Sequence, residues 1–464
     1  MSDLLQCISP VDGSIYVERP LASAVDVDRA VEKAVRAQKK WLHIPLAERQ
    51  QLIHCAIDIF ASQADDIAAE LSWQMGRPIS QGPGEITGLE ERARYMIDIA
   101  ADALANYRPA KKAGFELYIA REPIGVVAII APWNYPYLTA VNSIVPALVA
   151  GNAVVLKHAS QTPLCAERFA SVFAEAGLPD GVFQYLHLSH QNAERLMGDP
   201  RVGFVNFTGS VAAGHKVQRA ISEKFIAAGL ELGGKDPAYV REDADLDHAV
   251  ENLVDGAFYN SGQSCCGIER IYVHESLYKV FVERFVALTQ DSYVLGNPTD
   301  PATNLGPLVN IRAAEFVRGQ ISEALEAGAS ALIDETLFAA SKQGTPYLAP
   351  QVLVNVNHSM RVMTEESFGP VVGIMSVSSD KEAITLMNDS EFGLCASVWT
   401  RDSEAAKTIG ESVETGTFFM NRCDYLDPAL AWTGLKDTGR GCSLSLYGYQ
   451  AMTRLKSYHL RTQI

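Results

Sequence analysis

The chain has no CxxC pair, no long run of like charge and no apolar stretch near the ~18 residues a membrane span needs. The segment "PIGVVAIIAPW" is the obvious candidate, and it stops too soon, at a proline. Eight cysteines stand at positions 7, 55, 165, 265, 266, 395, 423 and 442, and the ten histidines are not grouped with them at ligand spacing. A structural zinc site is therefore not expected, and no metal is assigned. The opening "MSDLLQCISPVDGSIYVERP" lacks a basic start followed by an apolar segment and a small-residue cleavage site, which reads as no secretory signal. Reduced thiols in the cytoplasm are the economical reading. Basic residues are also too few: 39 Lys and Arg against 55 Asp and Glu leave a formal charge of −16. An acidic surface repels nucleic acid and anionic membranes, so neither is an expected partner. No internal repeat, low-complexity tract or linker interrupts the chain.

What is present suits a soluble enzyme-sized protein. At 464 residues, 48% apolar and 20% charged, the chain needs two or more domains. Residues 25–42 place Val27, Ala30, Val31, Ala34, Val35 and Ala37 on one broad face and predict a helix. Residues 47–76 predict one or two more, closed by Gly76. The runs 125–133, 152–159, 182–188 and 202–210 are short, apolar and rich in β-branched residues, with a helical pattern over 162–177 between the second and third. Strands alternating with helices predict a parallel sheet with crossovers, hence an α/β nucleotide-binding layout. A second alternation from about 245 to 420, with strands "GIERIYV" and "PVVGIMSV", predicts a second α/β domain.

Two segments fit neither domain. "FELYIAREPIG" (115–125) alternates like a hairpin, and "KSYHLRTQI" (456–464) alternates at the C-terminus. A strand without a local partner is an exposed edge. Pairing between subunits is the preferred reading, an ordinary edge strand the other.

Five stretches carry candidate chemistry. "NSGQSCCGIER" (260–270) sets Cys265 and Cys266 among small and polar residues, and adjacent side chains generally point different ways. One is a candidate nucleophile if its thiolate is stabilised and reachable; two half-buried structural cysteines are the alternative. "PWNYP" (132–136) follows a predicted strand, and its prolines hold the Asn134 amide in one direction, able to donate to a developing oxyanion or simply to build a turn. "FTGSVAAG" (207–214) brings Gly209, Ser210 and Gly214 to a helix N-terminus, which favours phosphate but equally suits a plain strand-to-helix turn. "LELGGKDP" (230–237) sets Glu231 before a glycine pair, as a base able to swing or as a surface acid. "EESFGP" (365–370) offers a carboxylate for ribose hydroxyls and Phe368 for a flat ring, or a solvated loop.

In this order the stretches resemble the aldehyde dehydrogenase superfamily from end to end. The likeness is carried by "ISPVDGSIYV", "PWNYP", "GNAVVLKHASQTP", "FTGS", "ELGGKDP", "GQSCCGIER", "LGPLV", "EESFGPV", "NDSEFGLCASVWT" and "GTFFMN". The resemblance implies oxidation of a small-molecule aldehyde to the carboxylic acid with NAD or NADP. It places the nucleophile two positions after Gln263 and five before Arg270, which is Cys265, and leaves Cys266 as a neighbour open to reversible disulfide formation. It implies Glu231 as the base that activates water and Asn134 as an oxyanion donor. Trp133 and Lys157 would line the adenosine and ribose side, Gly209 and Ser210 the pyrophosphate, Glu366 the nicotinamide ribose and Phe368 the ring. It also implies a Rossmann-like cofactor domain over 1–112 and 126–232, a catalytic α/β domain over 233–440, and a small β bridging element from 113–125 and 441–464. A homodimer or homotetramer follows by the same analogy.

Two departures qualify the resemblance. Many NAD-preferring members carry a glutamate three places after the lysine, where this chain has Ser160. Without that carboxylate NADP is tolerated, with preference left open. The C-terminal region reads "AWTGLKDTGRG", preceded by "NRCDYLDPAL" (421–430) at the family's substrate entrance. Asp424 and Asp427 there would disfavour an anionic aldehyde unless Arg422 points inward, which leans towards a neutral or cationic substrate; both acids facing solvent or anchoring the loop is the equal alternative. Transfer of the thioester to coenzyme A and a catalytically silent relative are the rival functions.

Overall fold

The computed structural model describes residues 4–463, so residues 1–3 and 464, the extreme ends of the expected cofactor domain and bridging tail, lie outside the described residues. A six-stranded sheet runs in the order Gly439–Arg440, Ala228–Glu231, Val202–Thr208, Val126–Ile130, Ala153–Lys157, Phe183–Tyr185. All neighbours are parallel except the first pair. Val126–Ile130 is buried along its whole length because it has helices on both faces. Val127 and Ile129 pack with Ile144, Leu148 and Phe169, while Val126, Ala128 and Ile130 pack with Val27, Val31 and Leu196. Helices Pro136–Val149 and Pro163–Glu175 connect strands on one side of Val126–Ile130, and the chain then returns to its other side at Val202–Thr208. That reversal opens a crevice at the carboxyl ends of the strands, the usual ligand position in open α/β sheets.

The second sheet has seven strands in the order Ser330–Ala331, Gln351–Val354, Val371–Val377, Ile268–His274, Asp236–Val240, Cys395–Trp399, Thr417–Met420. It is parallel apart from its first pair. The predicted helix over 25–42 is Ala24–Trp41, with a Ser23–Asp26 capping box. The 47–76 pattern is two helices, Leu46–Ser62 and Ala64–Met75, the second ended by Gly76 at φ 84°.

The 115–125 segment is one strand, not a hairpin. Phe115–Pro123 pairs antiparallel with Thr453–Arg461, so each supplies the partner the other lacked within the same chain. Tyr118 stacks on Tyr458 with ring centroids 4.4 Å apart. The alternation was local, but the pairing closes a loop of more than three hundred residues, which no short-range pattern encodes. No described helix is long and apolar enough to cross a membrane.

Candidate active site

Cys265 lies in the turn before strand Ile268–His274, and Glu231 ends strand Ala228–Glu231. Both line one cavity of about 450 Å³, with Thr208, Leu394, Trp432 and Arg92. The turn carrying Cys265 is held by left-handed backbone at Asn260 (φ 52°), Ser261 (φ 58°) and Gly262 (φ 71°). Such residues persist where the surroundings over-determine them. Asn260 Nδ2 donates to the Gln263 carbonyl at 3.2 Å, Gln263 Oε1 accepts from Val309 N at 2.8 Å, and Ser261 Oγ donates to Gly306 O at 2.9 Å.

Asn134 Nδ2 also donates to the Gln263 carbonyl, at 3.1 Å, which leaves its second amide hydrogen for a ligand oxygen. This locates Asn134 beside the cysteine turn, although its side chain is buried rather than part of the open cavity wall. Arg77, buried and paired with Glu85, donates to the Asn134 carbonyl. Glu85 in turn accepts from Tyr137 N and Leu138 N, both at 2.9 Å, in the first turn of Pro136–Val149, where a carboxylate suits the helix dipole.

Glu231 Oε1 accepts from Ser443 Oγ at 2.6 Å and Oε2 from Thr208 Oγ1 at 3.0 Å. Burial raises its carboxyl above the usual range, while these two hydrogen bonds and the Arg92 charge oppose the rise. The Cys266 sulfur beside it, together with burial, pushes the Cys265 thiol well up. Cys266 is buried at the wall of the same cavity. Its Sγ donates to Asp424 Oδ1 at 2.9 Å, and Ser264 Oγ donates to the same oxygen at 3.0 Å. Burial and the facing sulfur hold the Asp424 carboxyl well above its ordinary value, so the pair shares one proton.

The glycine pair after Glu231 is required by contact rather than by left-handed backbone. A Cβ on Gly233 would stand 2.4 Å from Glu366 Oε2, and one on Gly234 would stand 2.4 Å from the Cys265 carbonyl oxygen. Glu366 Oε1 accepts from Gly234 N at 2.9 Å, and burial and the Glu269 charge push its carboxyl up to about 8. Phe368, at φ 52°, meets Trp133 edge-on with centroids 5.6 Å apart. Lys157 ends its strand buried, its ammonium pulled down to about 8 by desolvation, with no ion pair to a described carboxylate. Ser210 caps helix Val211–Ala220, its Oγ accepting from Ala213 N at 3.4 Å, directly after Gly209. Ser160 is exposed. A lysine lacking a counter-ion, a helix N-terminus and a carboxylate set at a glycine pair fit a dinucleotide's hydroxyls and phosphates.

Several residues that build this site carried no sequence signal. Lys235 pairs with Glu269 in the interior, and Glu269 accepts from Ser367 N at 2.8 Å and Phe368 N at 2.9 Å, fixing the loop that bears Glu366 and Phe368. Thr208, Ser443, Arg77 and Glu85 likewise gain their roles only from contacts distant in sequence. The two loop acids resolve as anchors. Asp424 lines the cavity but is bound by Cys266 and Ser264, whereas exposed Asp427 accepts from Ala429 N at 2.9 Å outside it. Arg422 does not turn inward; it is exposed and stacks on the Tyr425 ring at 3.5 Å.

The two largely parallel sheets make this an α/β protein, and comparison with known proteins gives its class as an aldehyde-oxidising oxidoreductase. The aldehyde dehydrogenase family model matches residues 2–458, and the chain belongs to that family. It is 36% identical to an aldehyde dehydrogenase of Paenarthrobacter nicotinovorans over 453 residues, covering 97% of this chain and 98% of the relative. It is 34% identical to succinate-semialdehyde dehydrogenase [NADP(+)] 1 of Mycobacterium ulcerans (strain Agy99), over 97% of this chain and 98% of that one. A solved indole-3-acetaldehyde dehydrogenase complexed with NAD+ superposes with a TM-score of 0.93 at 31% identity, covering 99% of this chain and 93% of the other. The protein is an NAD(P)-dependent aldehyde dehydrogenase with the family's Rossmann-like α/β fold.

Proposed function

We propose that the protein oxidises an aldehyde through a covalent bond to Cys265 and releases the acid by hydrolysis. The observation that carries this reading is that Cys265 and Glu231, from different sheets, line one cavity. Because its thiol is held protonated, Cys265 must lose a proton as it attacks the carbonyl carbon. Glu231, whose carboxyl burial raises while Ser443, Thr208 and Arg92 oppose the rise, is the acceptor within the cavity. The second Asn134 amide hydrogen and the Cys265 backbone N–H receive the oxyanion; a donor of this kind is worth about 3–4 kcal/mol. The nicotinamide supplies the hydride acceptor. Glu231 passes that first proton to solvent and then deprotonates the water that cleaves the thioester, the Cys265 sulfur leaving and taking the proton back as the acid is released. The presence of Glu231 favours water over coenzyme A as the acyl acceptor.

Glu366 and Phe368 hold the nicotinamide half, Gly209 and Ser210 the pyrophosphate, and Trp133 and Lys157 the adenosine ribose. Ser160 brings no carboxylate against a 2′-phosphate, which supports use of NADP alongside NAD. Residues 1–112 and 126–232 form the cofactor domain, 233–440 the catalytic domain, and 113–125 with 441–464 the bridging element. The ribbon of Phe115–Pro123 and Thr453–Arg461, with Leu455 and Leu460 exposed, supports assembly into a dimer or tetramer. Eight free cysteines support a reducing, cytoplasmic setting.

The test is Glu231→Gln mixed rapidly with butanal and cofactor. One equivalent of reduced cofactor per site should still appear, formed more slowly than in the wild type because the Cys265 proton acceptor is gone, with an acyl adduct on Cys265 by mass spectrometry and turnover depressed at least about 100-fold. Cys265→Ser should give no burst. A burst in Cys265→Ser, or full turnover by Glu231→Gln, overturns the assignment. Acyl-CoA formation on adding coenzyme A would favour the acylating reading.

A further inference from the structure

Two cations line the substrate cavity, Arg77 and Arg92. Arg77 is ion-paired with Glu85 and spent on the Asn134 loop. Arg92, on helix Gly82–Asp98, is 8% exposed, and its Nη1 donates only to the Leu138 carbonyl, at 3.0 Å. It forms no ion pair with any described carboxylate, and a buried guanidinium without one is costly to fold.

Glu85, Glu231, Glu91 and the Cys266 sulfur all act on the Arg92 charge, but none of them bonds its guanidinium. Glu85 is held by Arg77 and two backbone N–H groups. Asp424 is occupied by Cys266 and Ser264. Exposed Glu91 sits on the rim and accepts from Tyr425 Oη at 2.6 Å, and Asp255, its carboxyl raised by desolvation, forms no ion pair with Arg92. Glu231 is held by Ser443 and Thr208. A charged donor with free N–H groups thus faces the same space as the nucleophile.

We infer that Arg92 grips a carboxylate carried by the substrate, so the enzyme prefers acid aldehydes, molecules with an anionic carboxylate at one end and the aldehyde at the other. The proposal rests on the aldehyde-oxidation reading above. It reverses the lean towards neutral or cationic aldehydes, because the loop acids behind that lean are tied up as anchors. The planar guanidinium fork matches a carboxylate bidentately, which an ammonium does not.

The test compares succinic semialdehyde, butanal and 4-aminobutanal on the wild type and on Arg92→Gln and Arg92→Lys, with either cofactor. The wild type should favour succinic semialdehyde over butanal in kcat/KM by about thirtyfold or more, chiefly through KM, with 4-aminobutanal poorest. Arg92→Gln should collapse that ratio to near unity, Arg92→Lys should restore part of it, and neither should lower the Tm. Equal turnover of all three by the wild type, or an equal loss on succinic semialdehyde and butanal with a lowered Tm, overturns the proposal. Equilibrium dialysis of labelled succinate gives a readout free of turnover. Binding to the wild type that Arg92→Gln loses supports the proposal, and equal binding overturns it. If no aldehyde is oxidised at all, the aldehyde-oxidation reading fails, and the dialysis still decides the role of Arg92.

Discussion

The Ser443 hydroxyl donates to Glu231 Oε1 at 2.6 Å, so a residue near the C-terminal end of the chain holds a carboxylate on the cofactor-side sheet. The contact favours the ionised form of an acid that burial drives the other way. Ser443→Ala therefore raises the Glu231 pKa. A base works deprotonated, so the acid limb of the kcat–pH profile moves to higher pH. On that limb kcat falls by up to about fivefold, the worth of one hydrogen bond of ~1 kcal/mol. A pH–rate series on the two proteins checks this; an unmoved limb refutes it.

Glu269→Gln leaves the Lys235 ammonium buried without a carboxylate. Breaking one side of such a pair costs about 3–5 kcal/mol. The midpoint of thermal unfolding should drop, and cofactor affinity should weaken because the Ser367 and Phe368 N–H groups lose part of their acceptor. The double variant Lys235→Met with Glu269→Gln should regain much of the stability but not the affinity. Calorimetry with cofactor titration separates the two effects.

Glu366 holds its proton up to about pH 8 and accepts ribose hydroxyl hydrogens best when ionised. Cofactor affinity should therefore strengthen roughly tenfold between pH 7 and 9, as the ionised fraction grows. Glu366→Gln should bind weakly and without that pH dependence. Quenching of protein fluorescence by added cofactor reports both.

Ser160 stands exposed three residues beyond Lys157. A carboxylate placed there would repel a 2′-phosphate, so Ser160→Glu should lower kcat/KM for NADP relative to NAD by at least about tenfold. Steady-state kinetics with each cofactor measures the ratio. A wild type already preferring NAD by a thousandfold would remove the premise.

Legibility differed by kind of residue. Strands such as Val126–Ile130 and Ala153–Lys157 were visible because burial on both faces demands unbroken apolar runs. Gly76 was visible as a helix stop because its left-handed φ excludes most side chains. The "ELGGKDP" pair is legible in the sequence, but the contacts that require glycine there are not. The reason for it is the Glu366 carboxylate on one side and the Cys265 carbonyl on the other. The 115–125 segment was read as a hairpin because alternation reveals a strand without revealing its partner.

The sequence by itself determined the α/β alternation and the family, and it singled out the cysteine, glutamate and asparagine proposed as the catalytic set, since those depend on local pattern and on motifs a few residues long. Only the tertiary structure decided how Glu231 is held by Thr208 and Ser443, that Lys235 and Glu269 brace the Glu366 loop, that Asp424 is tied up, and that Arg92 lies buried without an ion pair to a described carboxylate. Those are facts about distance and desolvation between residues remote in the chain, and both quantities exist only once the chain has folded.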